Sequence, residues 1–422
     1  MRRFRESLTT RGAAFLASGG VLVVAGILLG QHDLSRIGTV LCALPLLAGL
    51  LGRRHDLSLD VEREARPSRV VIDEPAVIGM TIRNPGPSRS PVLLAEEHLD
   101  YALGDRPRFV VPGLASQTST HLEYAVRAHA RGAHRLGPLG IRVQDPFGLT
   151  LRHTSISSDD ELLVLPRVEQ LAAGRSLGRG LGAEGSVPHR VALHGEDDQS
   201  IREYRDGDDL RRIHWPATAR TGELMVRQED RPAKRRAVIL LDTRAGSHAG
   251  TGPGSSLEWA VTMAASATKH LLDFGFAVHL LTTDPDRESG VREDTELDAA
   301  LETLARIGTS PETGIDSLLH AASAATAQGG LVVAVVGGLD DASARALSSL
   351  RQPGGPGLTF VIDAASFVRE GAAVPRVAGA DPRSTTASLA ASGWSVLTVR
   401  PEMGVADAWT SVAGARSLVG AR

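Results

Sequence analysis

Cysteine and lysine are nearly absent from this chain. Cys42 is the one cysteine in 422 residues, which excludes an internal disulfide, a thiolate zinc cluster and a two-cysteine redox motif. It lies inside an apolar run, where a thiol acts as a small hydrophobic side chain and not as a nucleophile. Lys234 and Lys269 are the two lysines, so positive charge is carried almost wholly by arginine. There is no excess of that charge either, because the net charge is −3. The concentrated basic face that neutralises phosphates is missing, and no nucleic-acid partner is expected. What is present describes a folded chain: 42% hydrophobic and 23% charged residues exclude wholesale disorder. The length suggests two or three globular units at roughly 150 residues each.

Charge is also missing from two stretches near the front. "AAFLASGGVLVVAGILLG" (13–30) and "IGTVLCALPLLAGLLG" (37–52) carry no Asp, Glu, Lys, Arg or His. A helix crossing about 30 Å of hydrocarbon needs roughly 20 apolar residues, and shorter runs are accommodated by snorkelling flanks. Arg36, Arg53 and Arg54 supply such flanks. Arg2, Arg3, Arg5 and Arg11 precede the first run, and Arg53 and Arg54 follow the second. The connecting "QHDLSR", read as a polar loop, holds one arginine. Arginine counting therefore places both ends in the cytoplasm, as a helical hairpin in the inner membrane. With no charged side chain inside either run, the hairpin reads as an anchor in the lipid bilayer and not as a pore or carrier.

From Asp56 to Val168 the pattern changes to alternating runs: "LSLDVERE", "RVVIDEPAVIGMTIRN", "SPVLLAEEH", "RFVVPGL", "THLEYAVRAHA" and "LGIRVQ". Period-two alternation broken by "NPGPS" and "DPFG" turns predicts an antiparallel, β-sandwich-like domain over 56–168. Residues 169–236 hold a glycine-rich surface loop and a charged motif. No Gly-Lys-Ser/Thr ending follows the glycines, so they do not cradle a phosphate. From Ala237 to the end, uniformly apolar strands ("AVILLDT", "FAVHLLTTD", "LVVAVVGGL", "LTFVID", "WSVLTVR") alternate with helical segments such as "SLEWAVTMAASATKHLLDFG". That pattern predicts an open α/β domain over 237–422, with a mostly parallel sheet covered on both faces. Ligands of such a sheet are expected beyond the carboxyl ends of its strands. The fold class is thus α/β plus all-β, behind a membrane anchor over 1–55.

The charged motif is "IREYRDGDDLRRIHWPATAR", residues 201–220. Glu203, Asp206, Asp208 and Asp209 are potential acid–base groups, and His214 is the side chain most easily tuned to neutral pH. No nucleophile or cofactor motif accompanies them. His189, His194 and His214 match no metal-ligand spacing. A structural reading makes "DGDD" a turn, with Gly207 free to take a positive φ. Arg202, Arg211, Arg212 and Arg220 would fork onto carboxylates, while Tyr204 and Trp215 bury their rings. Such a network would serve as an interdomain clamp, as a docking surface, or as both.

The string from Gly195 to Asp230, with "RGAHRLGPLGIRVQDPFGL" upstream and a strand ending in Asp242 after it, resembles the bacterial domain-of-unknown-function-58 family. These are von Willebrand factor A-like membrane proteins often encoded beside MoxR-type AAA ATPases. The resemblance implies a von Willebrand-A-like α/β domain and a protein partner, plausibly such an ATPase. Two departures stand out. A competent metal site of that type has Asp-x-Ser-x-Ser, whereas this chain has Asp242-Thr243-Arg244-Ala245-Gly246, with Gly337 in place of a second aspartate and Asp340 and Asp341 falling late. Asp242 is thus the remnant of a degenerate metal site, with Arg244 able to pair with it where a cation would sit, and no metal or cofactor is expected. Pro216 stands where the family carries a basic residue. The expected function is a membrane-anchored cytoplasmic adaptor, not an enzyme. The alternatives are a hydrolase using Glu203 and His214, and divalent-cation-dependent ligand binding.

Overall fold

The computed structural model describes residues 8–54, 58–172, 199–204, 213–229, 235–283, 297–368 and 379–414, except positions 146, 158, 328 and 354, together with Val377. They divide into two units. The first comprises Met1–Arg167 with Thr251–Pro253 and Leu301–Gly308, and the second Val168–Gly250, Gly254–Ala300 and Thr309–Arg422.

The first unit opens with two helices, α1 (Thr10–Leu28) and α2 (His32–Arg54). Both are long and apolar enough to cross a membrane, by length and composition. Val21, Val24, Ile27, Ile37 and Val40 all point outward. The expected polar loop "QHDLSR" is instead mostly helix. Gly30, at φ +66°, reverses the chain, and α2 begins at His32 with Asp33 in its first turn and Arg36 paired to it at 3.1 Å. An acidic residue in the first turn and an i,i+3 ion pair both favour helix there. Glycines let the two helices approach closely. A Cβ on Gly19 would lie 2.8 Å from the Gly38 carbonyl oxygen, and one on Gly38 would lie 2.6 Å from the Gly19 carbonyl oxygen. Close backbone approach through small residues is the usual solution for helix pairs in lipid. Cys42 packs at this crossing, with Sγ 3.7 Å from the Leu16 carbonyl oxygen.

Next come β1 (Asp60–Arg66), β2 (Arg69–Val71), β3 (Pro75–Arg83), β4 (Leu93–Leu99), β5 (Arg108–Val111), β6 (Ser119–Arg127), β7 (Gly132–Gln144), β8 (Leu151–Ile156) and β9 (Glu161–Leu165). One sheet has the order β1-β3-β6 and is antiparallel; the other has the order β2-β9-β7-β4-β5, with β8 also paired to β7. The second sheet is not wholly antiparallel as expected, since β2 and β9 run parallel. The strands β8 and β9 extend the domain beyond the last strand read from the sequence. Ile78 of β3 shares a buried cluster with Leu136 of β7 and Leu162 of β9. Met80 and Ile82 of β3 share another with Leu139 and Ile141 of β7. Alternate residues of both sheets thus fill one interlayer core, as in a sandwich. Through that core runs a forked ion pair. Arg63 Nε donates to Glu97 Oε1 at 2.7 Å and Nη2 to Oε2 at 3.1 Å, both side chains fully buried.

The second unit begins with a hairpin, β10 (Gln199–Glu203) and β11 (Met225–Glu229), bracketing the short helix α3 (Trp215–Thr221). It continues with β12 (Arg235–Leu241), α4 (Ser256–Asp273), β13 (Phe276–Thr282), the start of α5 (Leu297–Arg306, whose residues from Leu301 onward belong to the first unit), α6 (Asp316–Thr326), β14 (Leu331–Val336), α7 (Asp341–Ser349), β15 (Gly357–Ile362), α8 (Pro382–Ala391), β16 (Ser395–Val399) and α9 (Val405–Gly414). The strands form one parallel sheet in the order β13-β12-β14-β15-β16. Every residue of β14 and β15 is buried, because helices cover both faces and leave no strand face for water. The segment before the glycine-rich stretch is strapped to the last helix. Ala406 N donates to Glu169 Oε2 at 3.3 Å and Trp409 Nε1 to the Ala172 carbonyl oxygen at 3.2 Å.

Candidate functional site at the carboxyl end of the parallel sheet

The chain leaves β12 toward β13 on one side and later returns to place β14 on the other. A crevice at such a switch point is where open α/β sheets receive ligands. Asp242 follows β12 there, and Gly337 follows β14.

The Asp242 carboxylate is fully buried and fully engaged. Oδ1 accepts from Arg244 N at 3.1 Å and Arg244 Nε at 2.9 Å, and Oδ2 from Arg244 Nη2 at 2.7 Å and Gly337 N at 3.1 Å. Arg244 is 2% exposed, and its Nη1 reaches the Thr313 carbonyl oxygen at 3.3 Å. Burial pushes the Asp242 carboxyl up, but the hydrogen bonds and charge of Arg244 outweigh it and hold the group below the ordinary aspartate value. Burial likewise opposes the charge on Arg244, and Asp242 more than offsets it.

The surrounding loops are cross-tied. Thr243 N donates to Thr283 Oγ1 at 2.8 Å, Ser310 N to the Thr243 carbonyl oxygen at 2.7 Å, and Ala245 N to the Ser310 carbonyl oxygen at 2.8 Å. His248 Nε2 lies 2.6 Å from the Asp242 carbonyl oxygen. A carbonyl only accepts, so Nε2 carries a proton, and Ser256 Oγ lies 3.1 Å from Nδ1. Asp340 does not join Asp242. It caps α7, with Oδ1 accepting from Ser343 N at 2.8 Å, and that backbone bond is the leading cause of its lowered pKa.

The Mg²⁺ site implied by the resemblance does not fit these residues. Mg²⁺ demands near-octahedral oxygen ligands, but each carboxylate oxygen of Asp242 already accepts two N–H groups and the guanidinium stands against both. Gly337 offers a backbone N–H where a carboxylate would be needed. A side chain there is excluded sterically, since a Cβ would sit 2.6 Å from Ser247 Cβ. Ser247 Oγ is a buried hydroxyl without a hydrogen-bond partner among the described residues, yet one hydroxyl beside a saturated carboxylate is no ligand set. Among the described residues no group of three or more His, Cys, Asp or Glu side chains converges to hold a metal.

The charged motif is described only at its ends. Asp206, Gly207, Asp208, Asp209, Arg211 and Arg212 lie outside the described residues, as do His189, His194 and most of the glycine-rich stretch. Arg202 and Glu203 are placed in β10 by their backbone, and Tyr204 follows, its N–H donating to the Leu224 carbonyl oxygen at 2.8 Å. His214 is the N-cap of α3: Nδ1 accepts from Ala217 N at 3.1 Å, which gives that nitrogen a helix-capping role. Pro216 lies in the first turn, where its missing N–H costs nothing. Trp215 corrects an expectation. Its ring was expected to be buried, but it is 66% exposed at the start of the two-turn helix. Sequence reasoning passed over Ser247 and His248; the Ser247–Gly337 contact left no trace in the sequence because it joins positions from separate loops.

Residues 200–352 match the family described as "Protein of unknown function DUF58". No curated protein matches the chain. Among solved structures, the CARDB domain of PF1109 from Pyrococcus furiosus is 16% identical over 24% of this chain and 86% of that one, at a TM-score of 0.18. A putative ApaA protein from Bordetella pertussis is 18% identical over 27% of this chain and 96% of that one, at 0.19. An exo-β-N-acetylglucosaminidase from Vibrio harveyi is 12% identical over 81% of this chain and 75% of that one, at 0.21. Similarity this low carries no functional argument.

Proposed function

We propose, from the match of residues 200–352 to the family described as "Protein of unknown function DUF58", that the chain is an inner-membrane-anchored adaptor. In this reading α1 and α2 hold it in the bilayer with both ends in the cytoplasm. The parallel sheet is a von Willebrand-A-like scaffold that binds a protein partner without a metal. The partner is a MoxR-type AAA ATPase acting in envelope or membrane-complex assembly.

The observation that carries the reading is the exposed Trp215 within the matched region, at the start of α3, with the exposed Arg220 in the last turn of that helix and the half-exposed Leu224 after it. Tryptophan and arginine dominate the residues that anchor protein interfaces. The closed Asp242–Arg244 crevice supports the same reading, since it leaves recognition to the surface and not to a bound cation.

The test is affinity recovery of the tagged full chain from gently solubilised native membranes, with and without ATP, alongside Trp215→Ala and Arg220→Glu. An AAA ATPase recovered in a nucleotide-dependent way by the parent chain, and lost with either variant at unchanged melting temperature, is the expected result. Unchanged recovery with both variants would remove α3 from the interface. Absence of any ATPase with the parent chain would remove the adaptor reading.

A further inference from the structure

The "DPFG" turn between β7 and β8 has no part in the proposed partner site, yet it is built tightly. Phe147 N donates to Asp145 Oδ1 at 2.8 Å, Thr150 Oγ1 to Asp145 Oδ2 at 2.9 Å, and Gly148 N to the Asp145 carbonyl oxygen at 2.9 Å. The backbone N–H of Thr150 also donates to Asp145 Oδ2. The acidic side chain is thereby committed to the turn, while Phe147, at its tip, is 68% exposed. A hydrogen-bonded turn thus displays a phenyl ring to its surroundings.

The start of α1 lies against this turn. Thr9 Oγ1 donates to the Gly148 carbonyl oxygen at 2.6 Å and Thr9 N to the Leu149 carbonyl oxygen at 3.1 Å, and Leu8 bridges to Thr150. Gly12 is buried here, and a Cβ on it would collide with the Leu149 carbonyl oxygen. The turn is thus fastened to the first turn of the apolar helix. That helix has 19 residues, about 28 Å at 1.5 Å per residue, which nearly equals the roughly 30 Å of hydrocarbon in a bilayer. If α1 spans, Thr10 lies at one edge of the hydrocarbon and the turn lies at headgroup level. The outer face of the second sheet continues the surface. Leu94, 48% exposed, pairs with Val110, 65% exposed, on one side and with Arg142 on the other. Arg142 is three residues before Asp145, about 10 Å along the strand.

Resting on the reading of α1 and α2 as membrane-spanning, we propose that Asp145 and Phe147–Thr150, between β7 and β8, form a lipid-contacting foot of the sandwich. Phe147 inserts at the headgroup–acyl boundary of the leaflet where α1 begins, and the strip Val110–Leu94 rests against the same phospholipid surface. Aromatic rings concentrate at this depth because they are apolar bodies that tolerate a polar margin. Arg11, exposed one residue into α1, adds attraction to an anionic leaflet. The foot fixes the orientation of the sandwich on the membrane, which a flexible tether would leave free.

The test places an environment-sensitive fluorophore on single cysteines in the full chain with Cys42→Ala, reconstituted in phosphatidylcholine–phosphatidylglycerol vesicles. Three positions are compared: Phe147→Cys; Val24→Cys, on the outward face of α1; and Tyr101→Cys, 95% exposed beyond the far end of β4. Quenching is read with chain-brominated lipid and with aqueous iodide. The proposal expects Phe147→Cys to be quenched by lipid brominated near the carbonyls and protected from iodide, with Tyr101→Cys showing the reverse. Adding Gly12→Val, which pushes the turn off the helix, returns the Phe147→Cys probe to iodide; a probe still protected would mean that its own hydrophobicity drew it in, which overturns the proposal. Iodide access at Phe147→Cys while Val24→Cys stays in lipid overturns the proposal and leaves the spanning hairpin intact. Iodide access at Val24→Cys removes the hairpin reading, and the foot with it.

Discussion

Arg63–Glu97 in the sandwich and Arg244–Asp242 at the end of the parallel sheet are both forked, both buried and both made of the same two chemistries. They differ in reach. Arg63 and Glu97 stand 34 positions apart on strands of different sheets, so their bond exists only when the two layers have closed on one another. Asp242 and Arg244 are two positions apart, and their pair forms within one turn of chain. The first ties an architecture together; the second fills a place where an open α/β sheet would otherwise admit a ligand. Identical chemistry therefore has different consequences according to which parts of the chain it joins.

The comparison can be broken most severely in the sandwich. Arg63→Ala strands a buried carboxylate and is expected to cost about 3–5 kcal/mol, measured by denaturant unfolding of the first unit's transition in the detergent-solubilised chain. Arg63→Met with Glu97→Leu removes both charges and is expected to restore most of that loss. A cost below about 1 kcal/mol for Arg63→Ala would mean that water reaches the pair and that it ties nothing. Asp242→Asn should cost less, about 2 kcal/mol, because Arg244 keeps the Thr313 carbonyl and the field of Asp340 and Asp316.

Acid distinguishes windows within the second unit. The Asp242 pKa is lowered in the fold from its ordinary 3.8, so its contribution is complete above that value and disappears as pH falls toward the folded pKa. Asp242→Asn should flatten stability against pH in that window alone. His270 behaves differently. Burial lowers its pKa from 6.5, Nε2 has no partner among the described residues, and Trp409 and Phe274 pack against the ring. The fold favours the neutral ring, so stability is complete above pH 6.5 and declines below it. His270→Phe should remove that decline, by melting temperature between neutral and mildly acidic pH. The smallest expected effect is none: millimolar Mg²⁺ should leave the melting temperature unchanged, since only a ligand bound by the native state raises it. A clear rise would show that the guanidinium gives way to metal.

The parts of this molecule that were legible beforehand are those where one side-chain property repeats. Uniformly apolar β14 and β15, with glycine-terminated α4 ahead of them, carried the parallel sheet, and two charge-free runs carried the helical pair. Arg244 could be placed beside Asp242 from spacing and opposite charge. The features that escaped depend on meetings between distant positions. "LRHTSI" became β8 by pairing along β7, although its own alternation is weak. The parallel β2–β9 pair joins segments nearly a hundred residues apart. Gly337 reads as a missing ligand, but its reason is the Ser247 Cβ beside it. Trp215 misled because an aromatic ring in a polar string suggests burial, whereas the ring is exposed at the start of α3.

The strap between residues 169–172 and α9 has a consequence in time. Glu169 and Ala172 each bond a residue 237 positions later. At translation rates of roughly 5–20 residues per second, about 12 to 47 seconds pass between synthesis of the two ends. Through that interval the carboxylate of Glu169 lacks its helix terminus and Trp409 has not been made. A chain halted in the last strand would keep the bond from Glu169 N to Ser266 Oγ but lack both bonds from the opening segment to α9. The opening segment of the second unit is thus fully fastened only once α9 has been made.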